Sequence, residues 1–86
     1  IAVETVARLA KDCRNIVGIK EAGGSCDRVS QLRAAMGPKF CILSGDDSLT
    51  LPFMAVGADG VVSVASNIIP KEVSHMVRAF AVGKPA

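Results

Sequence analysis

Three short apolar runs, each ending in a polar or glycine-rich turn and followed by a helical pattern, constrain this chain more than any other feature. The runs are Asn15–Lys20, Phe40–Leu43 and Val61–Ala65, and each reads as a strand. Helical spacing fills the intervals. Glu4–Asp12 places Val6, Leu9 and Ala10 on one face, and Asp27–Met36 places Val29, Leu32, Arg33 and Met36 there, with Arg33 as a polar interruption. Gly37-Pro38 stops that second helix. Ser48–Val56 reads as a short apolar helix in which Pro52 is tolerable only near the first turn. Pro70 opens a last helix with Val73, Met76, Val77 and Phe80 on one face. The predicted order is α-β-α-β-α-β-α with connections of a few residues. That is the spacing of consecutive βα units carrying a parallel sheet, hence an α/β fold.

Composition agrees and adds a warning. The chain has 86 residues, enough for one small domain, and is 50% hydrophobic with mean hydropathy +0.41 and only 3% aromatic residues. Branched apolar residues without aromatics suit strands buried on both faces. Small independent domains normally carry more charge, so the chain is expected to belong to something larger. Its net charge of +2 comes from scattered basic residues with no aromatic interleaving, which argues against a nucleic-acid partner. No apolar run is long enough to span a bilayer, so no membrane role is expected. The sequence opens at Ile1 without a basic leader segment, so no signal peptide is expected and the chain reads as a mature fragment or a trimmed one. Cys13, Cys26 and Cys41 are odd in number and match no zinc spacing; they are expected to be thiols in a reducing, cytoplasmic compartment.

Two architectures fit this order: an open doubly wound sheet, or part of a (βα)8 barrel, which three strands cannot close. In both, the C-terminal ends of the strands carry the active site. The polar turns fall there: Lys20–Gly24, Ser44–Asp47 and Ser66-Asn67. Lys20 closes an apolar strand and opens onto glycines. A desolvated amine at such a position has a depressed pKa and can attack a carbonyl to form a Schiff base. The plainer alternative is a strand-end lysine reaching solvent, paired with Glu21. Strand alternation puts Ile16, Gly18 and Lys20 on one face, with Gly18 removing bulk beneath the lysine stem. Gly45 could let backbone approach a ligand. Asp46 and Asp47 are adjacent carboxylates on a turn, better suited to capping the next helix than to converging on a metal ion. Asn67 reads as part of a helix entry and His75 as a surface histidine. No nucleophile elbow, phosphate-binding loop or dinucleotide fingerprint is present.

Three segments together resemble the dihydrodipicolinate synthase family, the pyruvate-dependent class I aldolases. They are Asn15-Ile16-Val17-Gly18-Ile19-Lys20-Glu21-Ala22, Leu43-Ser44-Gly45-Asp46-Asp47 and Gly60-Val61-Val62-Ser63-Val64-Ala65-Ser66-Asn67, in matching order and separation. The resemblance covers nearly the whole chain. It implies that residues 1–86 are the C-terminal portion of a (βα)8 TIM-barrel catalytic domain, from about its fifth helix to its eighth. It implies that Lys20 forms a Schiff base with pyruvate and that Gly45 and Val62 line the pyruvate pocket. It implies no metal and no organic cofactor. The nearest branch condenses pyruvate with aspartate semialdehyde on the way to lysine; the sialic-acid lyase and ketodeoxygluconate aldolase branches are the alternatives.

One departure qualifies the resemblance. The family relays protons through tyrosine, and this chain has no Tyr. The relay therefore lies outside these residues, and the chain alone is expected to be inactive. The expected partners are the small-molecule substrates together with further copies of the chain, as a homo-oligomer, or a complementary N-terminal barrel segment. A non-catalytic fragment that self-associates is the other reading.

Overall fold

A computed structural model describes residues 1–83. The elements are α1 (Val3–Asp12), β1 (Gly18–Glu21), α2 (Cys26–Met36), β2 (Cys41–Ser44), a 3-10 turn at Asp47–Leu49, α3 (Thr50–Ala55), β3 (Gly60–Val61), a second 3-10 turn at Ala65–Asn67, and α4 (Pro70–Ala81). The strands form one parallel sheet in the order β1-β2-β3. The α/β class and the parallel sheet follow the sequence pattern.

Two strands are shorter or shifted relative to expectation. A turn in which the Ile16 amide donates to the Cys13 carbonyl delays β1 until Gly18. Ile16 consequently packs against the core instead of sharing a face with Lys20, and Val17 is exposed. The expected five-residue strand Val61–Ala65 is reduced to Gly60–Val61, because beyond the Ser44 carbonyl β2 makes no further pairing with the segment after β3. The last rung is the Val62 amide donating to the Ser44 carbonyl at 2.8 Å. α1 also differs: Val3 and Ala10 join Val6 against the core, while Leu9 is exposed.

Local chemistry explains the helix ends. The Ser25 hydroxyl accepts from the Arg28 amide and caps α2. Gly37, at φ +77°, ends it in the left-handed region that only glycine enters without strain. Pro52 is the third residue of α3, where its missing N–H costs nothing. Pro70 begins α4, as the sequence predicts.

The register gives the sheet two unlike faces. Ile19 pairs with Ile42, and Glu21 with Ser44; Ile42 and Ser44 are fully buried, and Ile42 joins Val6, Val29, Leu32, Phe40, Phe53, Met54 and Ala58 in the core. On the other face Gly18 pairs with Cys41 and Lys20 with Leu43. Cys41 and Leu43 are only half-buried and stand outside the core cluster.

Arg33, which breaks the apolar stripe of α2, staples the amino ends of β2 and β3. Its Nε donates to the Gly57 carbonyl at 2.9 Å, its Nη1 to Gly37 and Phe40 at 2.6 and 2.7 Å, and its Nη2 to Asp59 at 2.8 Å. Asp59 in turn accepts the Ile42 amide at 2.9 Å. Arg33→Met keeps the bulk and removes every donor. Hydrogen bonds from a charged donor contribute about 1.5–3 kcal/mol each, and the half-exposed Asp59 leg adds least. We expect a loss of roughly 2–4 kcal/mol in denaturant unfolding of the full-length protein. An unchanged midpoint would show that water replaces the guanidinium at those carbonyls.

Candidate active site

The carboxyl ends of β1, β2 and β3 bring the three predicted site residues onto one side of the sheet. Lys20 is the third residue of β1, Gly45 directly follows β2, and Val62 directly follows β3. The Gly45 amide donates to the Glu21 carbonyl at 2.8 Å, which extends the β1–β2 ladder past Ser44 and fixes Gly45 beside Lys20.

Glycine at position 45 is required by space. A Cβ there would lie 2.8 Å from Ala22 Cβ, 2.9 Å from Lys20 Cε and 3.3 Å from Ala22 Cα. The lysine stem thus runs across the bare α-carbon of Gly45. Gly18, expected to relieve the stem, meets Cys41 instead: its Cβ would fall 2.8 Å from the Cys41 carbonyl oxygen. Gly18 therefore permits close approach of β1 and β2, and Gly45 makes the room for the lysine.

Glu21 does not pair with Lys20. It points to the opposite face, is buried, and accepts from Arg28 Nε at 2.9 Å and from the Gly23 amide at 3.2 Å. That pair closes the turn after Lys20 and leaves the amine without an ion pair among the described residues. The desolvation expected around Lys20 is not supplied by these residues, since the side chain is exposed. Val62 is 46% exposed.

The two aspartates cap, but in different directions. Asp46 accepts the Ser48 amide at 3.0 Å and caps the 3-10 turn of its own segment, as expected. Asp47 reaches across to the segment after β3, where its Oδ2 accepts the Val64 amide at 3.1 Å and the Ala65 amide at 3.0 Å. The Ser63 hydroxyl, then the Ala65 and Val64 amides, hold this carboxyl below its ordinary value of 3.8, against the opposing pull of burial. Its contribution is therefore complete above that value and is lost as pH falls through the lower folded one. Sequence reading missed this crossing because a capping carboxylate is sought within its own helix, whereas the partners lie 17 and 18 residues away. The only local signal was a second acidic residue where one cap suffices. Asn67 belongs to the second 3-10 turn, and His75 is exposed on α4.

A parallel α/β sheet whose lysine and small-residue turns gather beyond the carboxyl ends of its strands has the layout of an α/β enzyme site. Comparison with known proteins gives the family. The chain belongs to the dihydrodipicolinate synthetase family, whose model matches residues 1–86. The 4-hydroxy-tetrahydrodipicolinate synthase structure from Methylacidiphilum fumariolicum SolV superposes with a TM-score of 0.97 at 66% identity, covering 99% of this chain and 28% of that one. The 4-hydroxy-tetrahydrodipicolinate synthase of Acaryochloris marina is 56% identical over 99% of this chain and 29% of its own length. YagE of Escherichia coli K12, a family member solved in complex with pyruvate, superposes at 0.87 with 26% identity, covering 96% of this chain and 29% of its own. The chain thus spans little more than a quarter of the relatives it matches. Among the described residues no helix is long and apolar enough to cross a membrane.

Proposed function

We propose that these residues are the C-terminal part of a (βα)8-barrel lyase that condenses pyruvate with aspartate semialdehyde through a Schiff base on Lys20. The observation that carries the reading is the lysine stem lying across the bare α-carbon of Gly45 at the carboxyl end of a parallel sheet. A residue larger than glycine would collide with that stem and with Ala22, so glycine at this position is what lets the amine-bearing stem lie at the strand end.

The barrel supplies what these residues lack. Parallel sheets are covered on both faces, and here Cys41 and Leu43 stand outside the core. β1 and β3 each have one strand edge without a partner among the described residues. In a barrel the remaining strands would pair with both edges, enclose the Lys20 face and desolvate the amine. They would also bring the tyrosine proton relay that this sequence cannot supply. Partners are then the small-molecule substrates and either an N-terminal barrel segment or further copies of the chain.

In the proposed reaction the neutral Lys20 Nζ attacks the ketone carbon of pyruvate to give a carbinolamine, and its hydroxyl, protonated by the relay that lies outside these residues, leaves as water to give the protonated imine. The imine draws electrons from the adjacent methyl group, which gives up a proton. The resulting enamine carbon forms a bond to the aldehyde carbon of the second substrate as the carbonyl π bond breaks; the aldehyde oxygen takes up the proton given up by the methyl group, and attack on the re-formed iminium by water or by the product's own amine frees Lys20. Gly45 and Val62 bound the pyruvate, the first by exposing backbone and the second by an apolar wall. No metal is called for, because the iminium itself is the electron sink.

The test is reduction with borohydride in the presence of pyruvate, followed by peptide mass analysis of the full-length protein. We expect a reduced pyruvyl adduct on Lys20. An unmodified Lys20, or an adduct confined to another lysine, defeats the reading.

A further inference from the structure

The second strand-end turn holds the third in place. Ser44 is fully buried, and its hydroxyl donates to the Asp46 carbonyl at 2.8 Å while accepting the Asp46 amide at 3.2 Å. Thr50, also fully buried, donates to the same Asp46 carbonyl at 3.3 Å. The backbone that carries Asp47 is therefore pinned from both sides. From this frame Asp47 reaches the segment after β3 at the point where the sheet stops supporting it. The ladder ends at the Val62 amide on Ser44, and the next amides to find acceptors are those of Val64 and Ala65, on Asp47 Oδ2. Beyond them the turn closes on itself, with the Ser66 amide on the Ser63 hydroxyl and the Ser66 hydroxyl on the Ser63 carbonyl. Val62 thus lies between one carbonyl of β2 and a turn that one carboxylate holds.

We propose that Asp47 is a positioning residue for Val62: its carboxylate sets where the wall of the site stands relative to Gly45 and Lys20, a role that rests on the reading of Lys20 as the imine-forming amine. A side chain that fixes a neighbouring strand end in this way acts on substrate placement and not on the chemistry of the amine. Misplacement of a binding wall by about 1 Å can cost on the order of a hundredfold. The effect should fall on pyruvate affinity, because the lysine and its Gly45 neighbour are held independently by the Gly45 amide on Glu21.

The experiment uses the full-length protein with Asp47→Ala and Asp47→Asn. Asn keeps a carbonyl with two acceptor sites and can still receive both amides, whereas Ala cannot. In Asp47→Ala we expect the KM for pyruvate to rise roughly tenfold to a hundredfold. At saturating pyruvate, borohydride should still label Lys20 fully. Hydrogen exchange at the Val64 and Ala65 amides should quicken by about tenfold or more, since each loses its acceptor. Asp47→Asn should restore KM to within about threefold of the parent. If Asp47→Ala does not fold, the Asn variant decides alone: a KM raised tenfold or more while the Val64 and Ala65 amides stay protected overturns the proposal. Unchanged exchange at Val64 and Ala65 overturns it, as does faster exchange with unchanged KM, which would make the contact purely structural. The unsubstituted protein separates this from the functional reading: no Lys20 adduct there defeats that reading first.

Discussion

Replacing Lys20 with arginine should abolish imine formation in the full-length protein while leaving the fold intact. Guanidinium stays protonated at any working pH and delocalises its lone pairs, so it cannot add to a carbonyl. The substitution retains the positive charge and a long stem, and it removes only nucleophilicity. Lys20 is exposed at the strand end, and its neighbour Glu21 is already committed to Arg28. No ion pair among the described residues is lost, and fitting the larger guanidinium into a face that the rest of the barrel encloses should cost about 1–3 kcal/mol, which a cooperatively folded protein survives. Turnover, in contrast, should fall by the whole contribution of covalent catalysis, to background in a coupled assay. Borohydride with pyruvate should leave no adduct at position 20. Near-parental turnover by the purified variant would remove Lys20 from the chemistry altogether.

Much of this arrangement was legible in the sequence, for identifiable reasons. Helix ends were legible where their signals are chemical: Gly37 takes a positive φ and stops α2, and Pro70 opens α4, whereas the Ser25 cap, which starts α2 at Cys26, was not read. The lysine and the glycine of the two turns could be placed at strand ends because strand, turn and helix follow one another at short intervals. What could not be read was anything set by a partner strand. Val61–Ala65 has the alternation and branching of a five-residue strand, but the strand's length is decided by β2, which makes no further pairing with that segment beyond the Ser44 carbonyl. Alternation from Asn15 likewise gave Ile16 the wrong face, because a turn resets the phase before Gly18. Glycines pose the same difficulty. Gly18 and Gly45 both forbid a Cβ, and only the distances reveal that one clears the strand next door and the other clears the lysine. Arg33 looked like a flaw in an apolar stripe until its carbonyl partners at Gly37, Phe40 and Gly57 were known.

The two ends of the strands thus carry different kinds of polar group. At the amino ends Arg33 and Asp59 satisfy backbone carbonyls and an amide, which is structural work. At the carboxyl ends Asp46 and Asp47 do similar capping, but they do so around an exposed lysine, a bare glycine and a half-exposed valine. On the proposed role of Lys20, substitutions at the two ends fail differently, one in stability and the other in binding.

Gly45→Val is the sharpest probe of that difference. The glycine's need is space, not a left-handed backbone, so the variant is not strained by φ. Its Cβ would stand 2.8 Å from Ala22 Cβ and 2.9 Å from Lys20 Cε. Ala22 is held by the turn that Glu21 and Arg28 close, so it yields little, and the flexible lysine stem must swing away. Overpacking of this kind costs about 1–3 kcal/mol. The γ-methyl groups would then occupy the volume assigned to pyruvate. Displacing both the nucleophile and its target should reduce pyruvate trapping on Lys20 by at least about a hundredfold. Melting temperature and pyruvate affinity are to be measured together on the full-length variant. Gly60→Ala serves as the control, since its Cβ meets Leu43 at 3.6 Å and Val77 at 3.9 Å, ordinary contacts that need no adjustment. A large loss of stability in Gly45→Val with unchanged pyruvate affinity would assign the glycine to the fold alone.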